Sequence, residues 1–190
     1  MYSFEPDPAQ PKAELYRDLC EAAGAITADE RDGVANMANV AALLWQFVPR
    51  LNWAGFYRMI DSELVLGPFQ GKAACIRIAL GQGVCGVAAQ SRKTQLVPDV
   101  HAFPGHIACD GASQAELVVP VLRGEQVIAV IDLDSPELSR FDAEDAAGHG
   151  DEGGAGHPVR RRRHAVEHRR HFAAGHVIGI DLHGARQPAD

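Results

Sequence analysis

The stretch AELVVPVLRGEQVIAVIDLD, residues 115–134, constrains the fold most. Two runs rich in β-branched residues flank Arg123-Gly124-Glu125, a hairpin signal that commits the chain to a sheet. Upstream, NWAGFYRMI, ELVLGPFQ and CIRIAL are short, rich in β-branched and aromatic residues, and separated by polar or glycine-bearing breaks, so they also read as strands. QGVCGVAAQSRK reads as a short helix and TQLVPD as a short strand. Val100 to Ser113 reads as a long loop carrying Pro104 and Gly105.

Ahead of Asn52 the period is helical. Lys12 to Ala23 places Leu15 and Leu19 one turn apart, with Gly24 as a stop. Thr27-Ala28-Asp29-Glu30 fits the S/T-x-x-E capping box, and Val34, Met37, Ala41, Leu44 and Val48 follow at helical spacing until Pro49, predicting a helix over 28–48. SPELSRFDAEDAAG offers a proline turn and an acidic helix start. Two N-terminal helices, five or six mainly antiparallel strands and a terminal helix make an α+β fold, with the N-terminal helices packed on one face of a central sheet. No internal repeat is visible.

A formal charge of −7 gives no general attraction to nucleic acid or an anionic membrane, so a small-molecule partner is favoured. The start, MYSFEPDPAQPKAELY, has neither a basic opening nor an apolar run, and a cytoplasmic location is expected. Cys20, Cys75, Cys85 and Cys109 form no C-x-x-C pair, which argues against a zinc ribbon or a thioredoxin motif.

Beyond Gly148 the composition breaks, dividing the chain into a domain over 1–148 and a His/Arg/Gly-rich tail over 149–190. The tail holds seven of the nine histidines, and its seven arginines against five acids leave −9 on residues 1–148 of a chain at −7. It has no sustained apolar stripe, so disorder is expected there. Three readings compete: a basic tail for acidic partners, adventitious metal binding through His164, His168 and His171, and out-of-frame translation of GC-rich DNA. The last is preferred, because the break falls where a terminal amphipathic helix is due.

Cys75, Cys85 and Cys109 are spaced by 10 and 24 residues, and Cys109 sits in HAFPGHIACDGAS, a polar loop that can expose a reactive side chain. Taken alone, each cysteine reads first as a small buried hydrophobe. Asp132 and Asp134, two apart on a strand, project from one face. They either cap the strand end in water or form a pocket for a cationic group such as an α-ammonium. A strict two-residue turn at Gly124-Glu125 pairs Glu116 with Leu133, on the wrong face. A three-residue loop or one bulge is expected to pair it with Asp132 instead. His101 and His106 are candidate proton donors, with a loop-stabilising hydrogen bond the favoured use, and a metal site from them and Cys109 is disfavoured.

Six segments together (NWAGFYRM, ELVLGPFQGKAACIRI, GQGVCGVAA, VPDVHAFPGHIACDGAS, ELVVPV and IAVIDLDSPELSRFDAED) resemble the free methionine-(R)-sulfoxide reductases over about residues 12–147. The resemblance implies a GAF domain. It makes Cys109 the nucleophile, Cys75 the resolving cysteine closing a Cys75–Cys109 disulfide, and Cys85 a second resolving or relay thiol. Glu116, Asp132 and Asp134 match acidic substrate-binding positions, while Trp53 and Tyr57 match aromatics lining the pocket. Cys20 receives no role. Free methionine sulfoxide is the implied substrate and thioredoxin or a similar dithiol the implied reductant. No metal or organic cofactor is needed, and a homodimer is left open. The rivals are a non-catalytic GAF module that binds a small ligand for signalling, and an enzyme inactivated by a replaced terminus.

Overall fold

The computed structural model describes residues 5–7 and 9–147; the expectations for the 149–190 tail lie outside the described residues. Helices α1 (Lys12–Thr27) and α2 (Gly33–Phe47) precede strands β1 (Trp53–Ile60), β2 (Glu63–Gly71) and β3 (Arg77–Ala79). Helix α3 (Gly83–Ser91), β4 (Gln95–Val97), a single 3-10 turn (Val100–Ala102), β5 (Ala115–Arg123), β6 (Gln126–Ser135) and α4 (Ala143–Ala147) follow. The strands form one sheet in the order β3-β2-β1-β6-β5-β4, and every pairing is antiparallel.

The N-terminal helices pack on one face of this sheet, as expected. Leu19, Val40 and Leu44 of α1 and α2 meet Ala54, Phe56, Leu117, Ile131 and Leu133 in a continuous core. The opposite face carries a second core, in which Val84, Cys85, Ala88 and Ala89 of α3 cover Trp53, Tyr57, Val118 and Val130. Period-two alternation explains the split, since successive residues of β1, β5 and β6 go to opposite faces. No helix among the described residues is long and apolar enough to cross a membrane.

Two local expectations are corrected. Helix α1 runs through Gly24 to Thr27, where the Thr27 hydroxyl donates to the Ala23 carbonyl instead of capping the next helix. The α2 cap is Asp32, whose Oδ1 accepts from the N–H groups of Val34 and Ala35, so this helix begins at Gly33 rather than 28. Asp32 directly precedes the apolar run and an aspartate caps as well as a threonine, so burial of that run selects the later start. Glu30, the far end of the supposed capping box, accepts instead from the N–H groups of Arg31 and Asp32.

The β5–β6 hairpin is corrected in register. Arg123 pairs with Gln126 across a two-residue turn with Gly124 at φ +61°, but Val121 pairs with Ala129, leaving Ile128 as an extra residue on β6. A bulge is therefore present, on β6 rather than β5, and it sets Glu116 opposite Asp134, not Asp132. Both registers turn the glutamate to the same face; the observed one moves it along the partner strand by two residues.

Candidate active site

The register lays three rows of side chains across the α3-covered face. Trp53, Asp134 and Glu116 are cross-strand neighbours in one row; Gly55, Asp132 and Val118 form the next; Tyr57, Val130 and Pro120 the third. Gly55 faces Phe69 so closely that a Cβ there would lie 2.4 Å from the Phe69 Cβ. Phe69 stacks on Trp53 at 5.2 Å between ring centroids, and Trp53 on Tyr57 at 5.9 Å, building an aromatic wall beside the acids. Sequence reasoning missed Phe69, because its place follows from a bulge at Gly67-Pro68 in β2.

These rows form the floor of a cleft bounded by the first turn of α3, the segment after β2 and the long loop before β5. Its lining includes Trp53, Tyr57, Cys85, His106, Cys109, Glu116, Asp132 and Asp134. Cys75 and Cys109 are joined by a disulfide at its edge, with a Cα–Cα separation of 5.9 Å. Cys109 is exposed and Cys75 half-buried. Cys85 is instead buried at the cleft floor, its thiol 4.0 Å from Glu116 Oε1. Cys20 packs at the margin of the other core, across the sheet.

The long loop is anchored beside its cysteine. Asp110 accepts hydrogen bonds from the Ala112 N–H, Lys72 Nζ and Asn52 Nδ2, and Asn52 also donates to Ser113 Oγ. The Ala112 bond comes first among the causes holding the Asp110 carboxyl below its ordinary range, followed by Lys72. Trp53 Nε1 donates to the Lys72 carbonyl, tying the segment after β2 to the same framework. Sequence reasoning did not select Asp110, although an aspartate before Gly-Ala-Ser is a recognisable signal for a side-chain-closed turn.

Glu116 and Asp132 are each only 6% exposed, and Asp134 is somewhat more open. Burial, then the neighbouring Asp132 and Asp134 charges, pushes Glu116 well above the usual carboxylate range. Burial likewise raises Asp134, against a hydrogen bond from Ser113. Asp132 is pushed up to about 6 by burial, while hydrogen bonds involving Cys85 and Glu116 oppose the shift. Burial, Asp132 and Glu116 hold the Cys85 thiol neutral. His106 Nε2 lies 3.8 Å from Glu116 Oε2, but burial and His101 lower its pKa, so at neutral pH the imidazole is uncharged and the contact is not an ion pair. His106 lines the cleft, whereas His101 is exposed.

Comparison with known proteins bears on the whole arrangement. The GAF domain family matches residues 35–147. The free methionine-R-sulfoxide reductase of Escherichia coli is 49% identical over 137 residues, covering 72% of this chain and 83% of that protein. The X-ray structure of free methionine-R-sulfoxide reductase from Neisseria meningitidis in complex with its substrate superposes with a TM-score of 0.74. It is 44% identical and the match covers 78% of this chain and 89% of that one. The chain belongs to the free methionine-R-sulfoxide reductase family. The Staphylococcus aureus member in complex with substrate has the same fold, at a TM-score of 0.67 and 44% identity over 70% of this chain and 87% of that one. As a GAF-type reductase, the chain carries its disulfide and its acids around a single cleft.

Proposed function

We propose that this protein reduces free methionine-(R)-sulfoxide to methionine, with Cys109 as nucleophile and Cys75 as resolving thiol. The observation that carries the reading is the joining of a Cys75–Cys109 disulfide to a cleft floored by Glu116, Asp132 and Asp134. The disulfide suits the oxidised end of a thiol cycle, and the acids suit an amino-acid ammonium.

In the reduced protein, the Cys109 thiolate attacks the sulfoxide sulfur and the oxygen passes to Cys109 as a sulfenic acid, releasing methionine. The Cys75 thiol then attacks the sulfenic sulfur, expelling water and closing the disulfide. An external dithiol such as thioredoxin, the partner proposed here, attacks that disulfide and leaves oxidised. Exposure of Cys109 favours its access to such a partner. Cytoplasmic reducing conditions suit this cycle, and the protein is assigned there as part of the proposal.

The substrate ammonium sits among the acids. Asp132 Oδ1 is buried and has no hydrogen-bond partner, so an ammonium N–H satisfies an acceptor that otherwise bears the cost of lost hydration. A carboxyl kept protonated by its neighbours supplies the proton that the sulfoxide oxygen needs as its bond to sulfur breaks. Trp53 and Tyr57 pack the thioether and methyl group. An ammonium enclosed in this way has no room for a preceding peptide residue, which favours the free amino acid. No side chain caps α3, and Gly83 and Val84 of its first turn border the cleft, so that turn provides the positive field that stabilises a thiolate near three acids. The preference for the R epimer follows from family membership.

The test is NADPH-coupled turnover of free methionine-(R)-sulfoxide with thioredoxin and thioredoxin reductase, comparing wild type with Cys109→Ser. Turnover confined to the wild type is expected. Equal rates reject the nucleophile, and substrate binding without turnover in the wild type makes the protein a ligand-binding module.

A further inference from the structure

Cys85 is placed where neither substrate packing nor exposed disulfide chemistry needs a thiol: on the cleft floor, among carboxylates. We propose that the substrate-free cleft binds a borderline-soft divalent cation of the Zn²⁺ type through Cys85 Sγ, Glu116 and Asp132, with His106 Nε2 as fourth donor, and that cation and substrate exclude one another.

One donor atom each from Cys85, Glu116 and Asp132 lies within 4.8 Å of the other two. Cys85 Sγ is 4.0 Å from Glu116 Oε1, and His106 Nε2 is 3.8 Å from Glu116 Oε2. A tetrahedral zinc with bonds of about 2.0–2.3 Å holds its donors about 3.3–3.7 Å apart, so the Cys85, Glu116 and Asp132 donors need only a contraction, while His106, which meets the other Glu116 oxygen, swings in with its loop to become the fourth. The donors come from α3, β5, β6 and the long loop, elements already fixed around the cleft.

A second observation points to a ligand. Asp132, 6% exposed, lines the same cleft and carries a buried oxygen with no hydrogen-bond partner. The donor types then choose the class of ion: thiolate with imidazole disfavours magnesium and calcium, and the two carboxylates keep the site hard enough for zinc rather than copper(I). On binding, the metal replaces the Cys85 proton, which leaves to solvent. Two positive charges offset the crowding of thiolate and carboxylates more fully than one ammonium. Mutual exclusion rests on the proposed function, because Glu116 and Asp132 are also the groups assigned to the substrate ammonium.

The probe is Co²⁺ added to the full-length disulfide form, in which Cys75 and Cys109 are tied up, with thiolate-to-cobalt charge-transfer absorption as readout. The tail histidines cannot produce that band. It is expected in wild type, absent in Cys85→Ser, and bleached by Zn²⁺. Glu116→Gln is expected to weaken Zn²⁺ binding by about 100-fold or more, at least the loss typical of an outer-shell partner. Excess free methionine is expected to abolish the band, while equal glycine, which chelates through the same amino and carboxylate groups, leaves most of it. No band in wild type, or a band surviving Cys85→Ser, overturns the site. A band indifferent to methionine overturns the exclusion. Turnover in chelator by a protein that gives no band on Co²⁺ addition rejects this inference alone, whereas a band without turnover supports the site and rejects the proposed activity.

Discussion

Glu116 stands directly opposite Asp134 across β5 and β6, with Asp132 on the same face of β6. Like charges opposed in a sheet are destabilising, and burial adds to the cost of ionising them. In the folded protein Asp132 is pushed from 3.8 up to about 6. Between those values the native state binds more protons than the unfolded state, so stability falls as pH rises through that window. Glu116→Gln or Asp132→Asn is therefore expected to raise thermal stability near neutral pH, by about 1–3 kcal/mol, while lowering kcat/KM for methionine sulfoxide at least tenfold. Calorimetric melting against pH checks the first effect: the wild type should lose Tm from pH 4 to above 6, and Asp132→Asn should flatten the curve. A variant both less stable and fully active would contradict the assignment.

Cys75→Ser separates chemistry from recycling. With the proposed resolving thiol gone, each protein should produce about one methionine in a rapid burst and then stall as a sulfenic acid on Cys109, detectable by dimedone labelling. Steady turnover near the wild-type rate would instead make Cys85 the resolving thiol, requiring it to leave its buried place beside Glu116.

Asp145 of α4, its side chain fully enclosed, collects three side-chain donors besides the Asp142 N–H. It accepts from Tyr16 OH at 2.6 Å, Lys12 Nζ at 2.7 Å and Arg140 Nη1 at 3.2 Å, while Arg140 Nε donates to the Pro49 carbonyl. Asp145→Ala leaves the buried guanidinium without its counter-charge and is expected to cost about 3–5 kcal/mol in urea unfolding. That is a large share of the stability of a domain this size. Activity measured well below the unfolding midpoint should survive, since the network lies on the sheet face opposite the cleft.

The composition break after Gly148 has a direct check at the level of the gene. We propose a frame change, and retranslation after about codon 147 in the other two frames should reveal a sequence with apolar residues at helical period. Finding none would leave the His/Arg-rich segment as a genuine tail.

Much of the fold was legible in local pattern. The hairpin around Gly124, the short strands and the helix over Gly83–Ser91 follow from period and turn chemistry. The α2 boundary did not, because Thr27 and Asp32 both satisfy cap rules and only burial of the following run chooses between them. Asp145 read as an ordinary acid at a helix start; its three side-chain donors come from α1 and the segment before α4, contacts with no local signature.

The cysteines show the same division. Their spacing and surrounding motifs were sufficient for the family resemblance, and hence for expecting a Cys75–Cys109 pair. Tertiary structure decided that Cys85 lies buried at the cleft floor, beside Glu116. Glu116 reaches the aspartate face because Ile128 adds one residue to β6, reversing the parity of every pairing beyond it. Residue identities determined which thiols and carboxylates the protein possesses; a one-residue bulge, set by how both faces of the sheet must be covered, decided which of them meet.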